Sequence, residues 1–142
     1  MARKTRYKGK SLVDQHWRAQ PLRSFRFQDC ILKGCSFKNC NLTDATFEGA
    51  TLIDCNFWYC NLTKVNFREA TLSVGIIESA ARYTNLEHSG IIKLELIRSN
   101  IERIEFPQYV DPTKVSLRDC VNVPPLFENL NVKTLTDNGT IY

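Results

Sequence analysis

Histidine and methionine are scarce in this chain, with two of the first (His16, His88) and one of the second in 142 residues. Two histidines far apart in sequence leave little material for His-based acid/base or metal chemistry. No Gly-rich phosphate loop and no GxSxG elbow is present, which removes two familiar routes to catalysis. No uncharged apolar run approaches the roughly 18 residues of a spanning helix. The basic start Met1-Ala2-Arg3-Lys4 is not followed by the apolar stretch of a signal peptide. A cytoplasmic, non-enzymatic protein without a cofactor is the expectation. What is present, 43% hydrophobic and 24% charged residues, is the ordinary make-up of one folded domain.

The formal net charge of +4 is unevenly placed. Residues 1–23 hold seven cations (Arg3, Lys4, Arg6, Lys8, Lys10, Arg18, Arg23) against the single Asp14, a surplus of +6 that leaves residues 24–142 at −2. A basic arm thus precedes a body with no net attraction for nucleic acid.

Five of the six cysteines (Cys30, Cys35, Cys40, Cys55, Cys60) are separated by multiples of five residues, and they belong to a larger rhythm. Every fifth residue from Leu22 to Leu72 is Leu or Phe in strict alternation: Leu22, Phe27, Leu32, Phe37 and onward. Leu and Phe supply 22 of the 142 residues. Eleven consecutive hits in one register therefore have a chance probability on the order of one in a billion, and the period is real. Two places before each hit lies a small residue, as in Cys30, Ala45, Cys60 and Ala70, while the other three positions are largely polar. Two inward residues per five fit neither a helix nor a long alternating strand. Each unit reads as a short extended piece followed by a bend, one side of a coil.

The number of sides follows from stacking like on like. Strict Leu/Phe alternation requires an even number, since three sides would stack Phe on Leu. Among the small positions, identities are commonest at a separation of 20 (Cys35 with Cys55, Cys40 with Cys60, Ala50 with Ala70), so four sides of five is the preferred geometry. Hydrogen bonds then run between coils about 4.8 Å apart, as in a parallel sheet.

Units such as Cys40-Asn41-Leu42-Thr43-Asp44, Ala45-Thr46-Phe47-Glu48-Gly49 and Ala70-Thr71-Leu72 resemble the A(D/N)LXX motif of the pentapeptide repeat family. The resemblance implies an all-β, right-handed, four-sided parallel β-helix, here of four to five coils with short terminal caps. Residues 1–19 are expected to form a basic arm and cap, 20–108 the β-helix, and 109–142 a last irregular coil and C-terminal cap. The rhythm resumes at Leu86 one residue early, which predicts a register shift within 73–83. Ser11-Leu12-Val13-Asp14 predicts a short helix setting Leu12, Val13 and Trp17 over the first coil. Leu126 to Leu130 predicts the cap at the other end, and some relatives dimerise through such a segment.

The repeat accounts for several apparent sites. The cysteines fall on different sides and read as inert core thiols rather than metal ligands or disulfides; Cys120 lies outside the pattern. The acids Asp29, Asp44, Glu48, Asp54 and Glu69 read as a solvated surface. No catalytic, cofactor or metal residue is expected.

Three functions compete. The first is an interaction protein whose rigid prism binds and modulates a protein partner. The second, implied by the resemblance, is a DNA mimic that inhibits or protects a nucleic-acid enzyme such as DNA gyrase, of phage or mobile-element type. Such a mimic needs a strongly acidic surface, whereas this body totals −2 with mixed signs. The third is nucleic-acid binding through Arg3, Lys4, Arg6, Lys8 and Lys10, with Tyr7 among them. Laying the outward positions onto four sides places Ile53 and Ile92 on one side, and Trp58 and Ile97, with Tyr59 adjacent, on the next. This patch is the expected partner or homodimer surface.

Overall fold

In the computed structural model, which describes residues 7–125, 127 and 134–135, every strand pairing is parallel. The chain winds as a right-handed solenoid of about five turns. Strands β1 (Ser11–Val13), β3 (Ile31–Lys33) and the starts of β5 (Thr51–Trp58), β6 (Thr71–Ile77) and β7 (Gly90–Ile97) form one side, A. Side B comprises β2 (His16–Arg18), β4 (Ser36–Lys38), the ends of β5, β6 and β7, and β8 (Val115–Arg118), which pairs onward with β9 (Thr134–Leu135). Sides C and D carry only isolated bridges, such as Asn41 with Asn61 on C and Thr46 with Asn66 on D.

The bend of each pentad has a common device. The residue two places after the central Leu or Phe has positive φ: Asp14, Ala19, Ser24, Asp29, Gly34, Asn39, Asp44 and Gly49 in sequence. Asp, Asn and Gly recur there because they tolerate the left-handed conformation best. On C and D a tight turn closes as well, with Ala45 N donating to Leu42 O at 2.9 Å and Ala50 N to Phe47 O at 2.9 Å. Sides A and B lack that closure and stay extended, which is why the strands are confined to them.

Like does stack on like. Phe27, Phe47 and Phe67 form one ring column, with centroids 4.7 and 5.1 Å apart and planes within 16°. Phe37 and Phe57 form the second, 5.0 Å apart, and the two columns meet edge to face, as Phe47 does Phe57 at 5.9 Å. Leu32, Leu52 and Leu72 fill side A and Leu22, Leu42 and Leu62 side C, and all of these Phe and Leu side chains are buried.

The sequence-predicted helix at Ser11 is replaced by β1 and β2. Trp17 stacks on Phe37 at 4.4 Å and Tyr7 on Phe27 at 5.1 Å, so the pentad register extends back to Tyr7, upstream of the boundary expected at residue 20. Aromatic stacking with β pairing on the coil below outcompetes a helix too short to be stable alone.

The register shift lies within the expected range, at the A/B corner. Leu52 pairs with Leu72 and Ile53 with Ser73, but Cys55 pairs with Val74, leaving Asp54 opposite nothing; β7 passes the same corner with Ile92 unpaired. No residue between Glu69 and Glu78 has positive φ, so this coil lacks its corner residue and β6 runs straight through. Towards the C-terminus Pro112–Lys114 forms a 3-10 turn capped by Asp111, and Phe127 packs edge to face on Phe106 at 4.9 Å. Apart from Phe127, the predicted cap at Leu126 to Leu130 lies outside the described residues. Among the described residues no helix is long and apolar enough to cross a membrane.

Candidate interaction surface

The thiols serve the backbone. Cys35, Cys40, Cys55 and Cys60 donate to carbonyl oxygens of the coil before, those of Leu12, Trp17, Leu32 and Phe37, at 3.2–3.4 Å. Ser79 and Ser99 occupy the same place in later coils and donate to Ile77 O and Ile97 O at 2.9 Å. Cys120, unassigned from sequence, does likewise to Leu96 O. Burial pushes the Cys55 thiol up to about 11, and contact with Cys40 together with burial pushes Cys60 up. The same contact with Cys60 pulls the Cys40 thiol down to about 6, so the inert reading holds for Cys55 and Cys60, whose raised values make them poor nucleophiles. Among the described residues no three His, Cys, Asp or Glu side chains converge as a metal set.

The outward surface of sides A and B carries several of the exposed large apolar side chains, Trp58, Ile31, Val13 and Ile92 among them. Pairing from β2 to β8 places Arg18, Lys38, Trp58, Ile77, Ile97 and Arg118 in one column on side B. Trp58 is 39% exposed, Ile97 partly exposed, and Ile77 lies nearly covered between them at 7%. Tyr59 stands exposed at the adjoining corner. On side A, Ile53 is half-buried and Ile92, in its bulge, is 51% exposed. Of the five residues expected from sequence, Trp58 and Ile97 share the side-B column and Ile53 faces outward on side A, whereas Tyr59 stands at a corner and Ile92 sits unpaired in the bulge, with Lys93 taking the place in the Ile53 column expected for it. Val13 and Ile31 are also exposed on side A, with Lys33 between Val13 and Ile53 in register. Sequence reasoning missed them, Val13 because it had been assigned to a helix and Ile31 because it precedes its central leucine.

Between these columns the absent corner leaves a notch of about 170 Å³ lined by Asp54, Asn56, Ser73, Gly75, Lys93 and Glu95. Lys93 Nζ meets Glu95 Oε1 at 2.7 Å. A Cβ on Gly75 would lie 2.5 Å from Asn56 Oδ1, so the glycine lets the coils close over this carboxamide. With no left-handed corner residue in this coil, β6 runs unbroken from Ser73, in register with Ile53, to Ile77, in register with Trp58.

Among the described residues, Tyr83, Tyr109, Val121 and Val123 are the large apolar side chains exposed elsewhere. Arg82 pairs with Glu102 at 2.8 Å, Arg98 with Glu78 at 2.9 Å and Arg23 with Asp44 at 3.6 Å. The guanidinium groups of Arg82 and Arg103 lie 5.7 and 5.9 Å from the Tyr83 ring. Lys8 and Lys10 are exposed on the first coil, while Arg3, Lys4 and Arg6 lie outside the described residues.

A family profile described as the pentapeptide repeat region matches residues 3–73 and again 30–106. The chain belongs to the pentapeptide repeat family. No curated protein matches it. Solved structures similar to this member include a pentapeptide repeat protein from the Arabidopsis thaliana thylakoid lumen (19% identity, 94% of this chain and 85% of that one, TM-score 0.39). Rfr23 from the cyanobacterium Cyanothece 51142 gives 12% identity over 83% of this chain and 89% of that one, TM-score 0.37. Trypsin-treated R167E QnrB1, a plasmid-mediated fluoroquinolone resistance protein, gives 16% identity over 78% of this chain, TM-score 0.35. This pentapeptide repeat chain spans 62% of that QnrB1 chain.

Proposed function

We propose that this pentapeptide repeat protein is a non-enzymatic interaction module whose A and B sides dock a protein partner. The observation that carries the reading is the in-register Trp58, Ile77, Ile97 column with Ile53 and Ile92 across the notch. Solvent-facing positions of a solenoid need no bulky apolar residues for folding, and an in-register run of Trp58 and Ile97 flanking the nearly covered Ile77, with Tyr59 at its edge, has the make-up of an interface centre. Trp58→Ala should lower affinity for the partner by roughly 2 kcal/mol or more while leaving the melting temperature unchanged, since the indole faces away from the core. The test compares proteins retained from a bacterial lysate by wild type and by Trp58→Ala. A partner held equally by both would remove the patch from consideration. Gyrase supercoiling assays run alongside test the DNA-mimic alternative. A salt-sensitive DNA shift abolished by deleting residues 1–10 would support the basic arm instead.

A further inference from the structure

We infer that the segment recognised on side B is part of another protein, apolar at its centre and acidic at both ends. The inference rests on the reading of the Trp58 column as a docking surface and adds the chemistry of its occupant. The column reads Arg18, Lys38, Trp58, Ile77, Ile97, Arg118, with basic residues above and below an apolar middle. At about 4.8 Å per rung, Lys38 and Arg118 stand roughly 19 Å apart. Neither they nor Arg18 make an ion pair among the described residues, whereas the cations bordering the apolar middle, Arg98 and Lys93, are held by Glu78 and Glu95. Positive charge is therefore uncompensated at the ends and compensated in the middle. Lys33, directly above Ile53 on side A, repeats the upper half of this pattern.

A second copy fits poorly. A two-fold axis lying in the interface plane, running along the strands at the Ile77 rung, would lay Trp58 on Ile97 but Lys38 on Arg118. An axis parallel to the coil stack would bring each rung onto itself, Lys38 on Lys38 and Arg118 on Arg118. Both isologous arrangements oppose like charges, which costs association. A nucleic acid fits poorly too, because Asp54, Glu78 and Glu95 border the apolar middle and would face its phosphates. Carboxylates at the ends of an apolar segment satisfy both parts of the column.

The experiment selects peptides from a random display library on the immobilised full chain and measures the enriched peptides, synthesised with a fluorescent label, by anisotropy. Enriched sequences should carry Asp or Glu on both sides of a Leu, Ile, Phe or Trp centre. Their affinity should fall tenfold or more in Trp58→Ala and in the pair Lys38→Glu with Arg118→Glu, and Lys-ended counterparts should bind that pair better than wild type. These positions are exposed, and an unchanged circular-dichroism melt certifies the fold. Peptides that need Trp58 but ignore the charge reversal overturn the inference and leave the docking reading standing. Peptides indifferent to Trp58 overturn both. Labelled oligothymidine released by the charge reversal would assign the column to phosphates instead. A dimer in sedimentation that Trp58→Ala dissociates would assign it to a second copy.

Discussion

Cys55 stands opposite Val74, whereas on the same pair of strands Leu52 stands opposite Leu72. The one-residue slip leaves Asp54 unpaired and opens the notch. Inserting a single Asn between Ser73 and Val74 should restore a full corner and fill the notch, with stability within about 1 kcal/mol of wild type, because Asn accepts the left-handed conformation used at the other corners. A urea midpoint showing a much larger loss would mean that the short coil is required by the packing beneath it.

Phe47 lies between Phe27 and Phe67 in one ring column and is fully buried. Phe47→Ala should destabilise by about 3–5 kcal/mol, against about 0.5 kcal/mol or less for the exposed Lys64→Ala. Chemical denaturation of the two variants decides the matter, and equal midpoints would contradict the column.

Gly49 and Gly90 separate two effects. Gly49 has φ +70°, and a Cβ there would collide with Asp29 Oδ1, while a Cβ on Gly90 meets nothing within 4 Å. Gly49→Ala should cost about 1–2 kcal/mol and Gly90→Ala close to nothing. Ala19 shows that φ 52° alone is tolerated without glycine. Asp29→Ala should therefore recover much of the Gly49→Ala loss, a coupling that a double-mutant cycle reads directly.

The thiols make two checks possible. Cys60 donates to Phe37 O at 3.2 Å and Trp58 O at 3.3 Å, the task Ser79 performs one coil on. Cys60→Ser should hold stability within about 1 kcal/mol, whereas Cys60→Val leaves those carbonyls without this donor and should lose about 1–3 kcal/mol in urea denaturation.

Alkaline pH tests the same burial. Cys55, pushed from 9.0 up to about 11, stays protonated in the folded chain after the unfolded chain has begun to lose its proton. The stability it confers is complete below the unfolded value and is lost as pH rises through that window. Denaturation midpoints should fall between pH 9 and 11, and Cys55→Ser should flatten the fall. An identical pH profile in that variant would assign the loss to other groups.

The four-sided stack was legible because Leu and Phe alternate without exception from Leu22 to Leu72, and the apolar columns followed once the sides were counted. The start of the solenoid was not. Its first pentads carry Tyr7 and Trp17 where later ones carry Phe, and Lys10, Gln15 and Gln20 where later ones carry small residues. Polar residues fit those positions because the first coil is covered on one side only. The slip was confined to 73–83 but not placed, since Val74, Ile76 and Ile77 are all apolar and each could face inward. Nor did the sequence separate extended from tightly turned sides: Asp stands at corners of both kinds, Asp14 and Asp54 after side A, Asp44 after C and Asp29 after D.

Because Asn41 bridges to Asn61 in the same place on successive coils, the chain can be cut at one and rejoined at the other with every later side chain still in phase. Removing residues 41–60 would join Cys40 to Asn61, shortening the stack by one storey while leaving the Phe37 column to meet Ile76 below it. Such proteins can therefore change length by duplication or loss of a whole coil without searching for a new core. The Trp58 rung, lying inside that segment, would be gained or lost together with the storey that carries it.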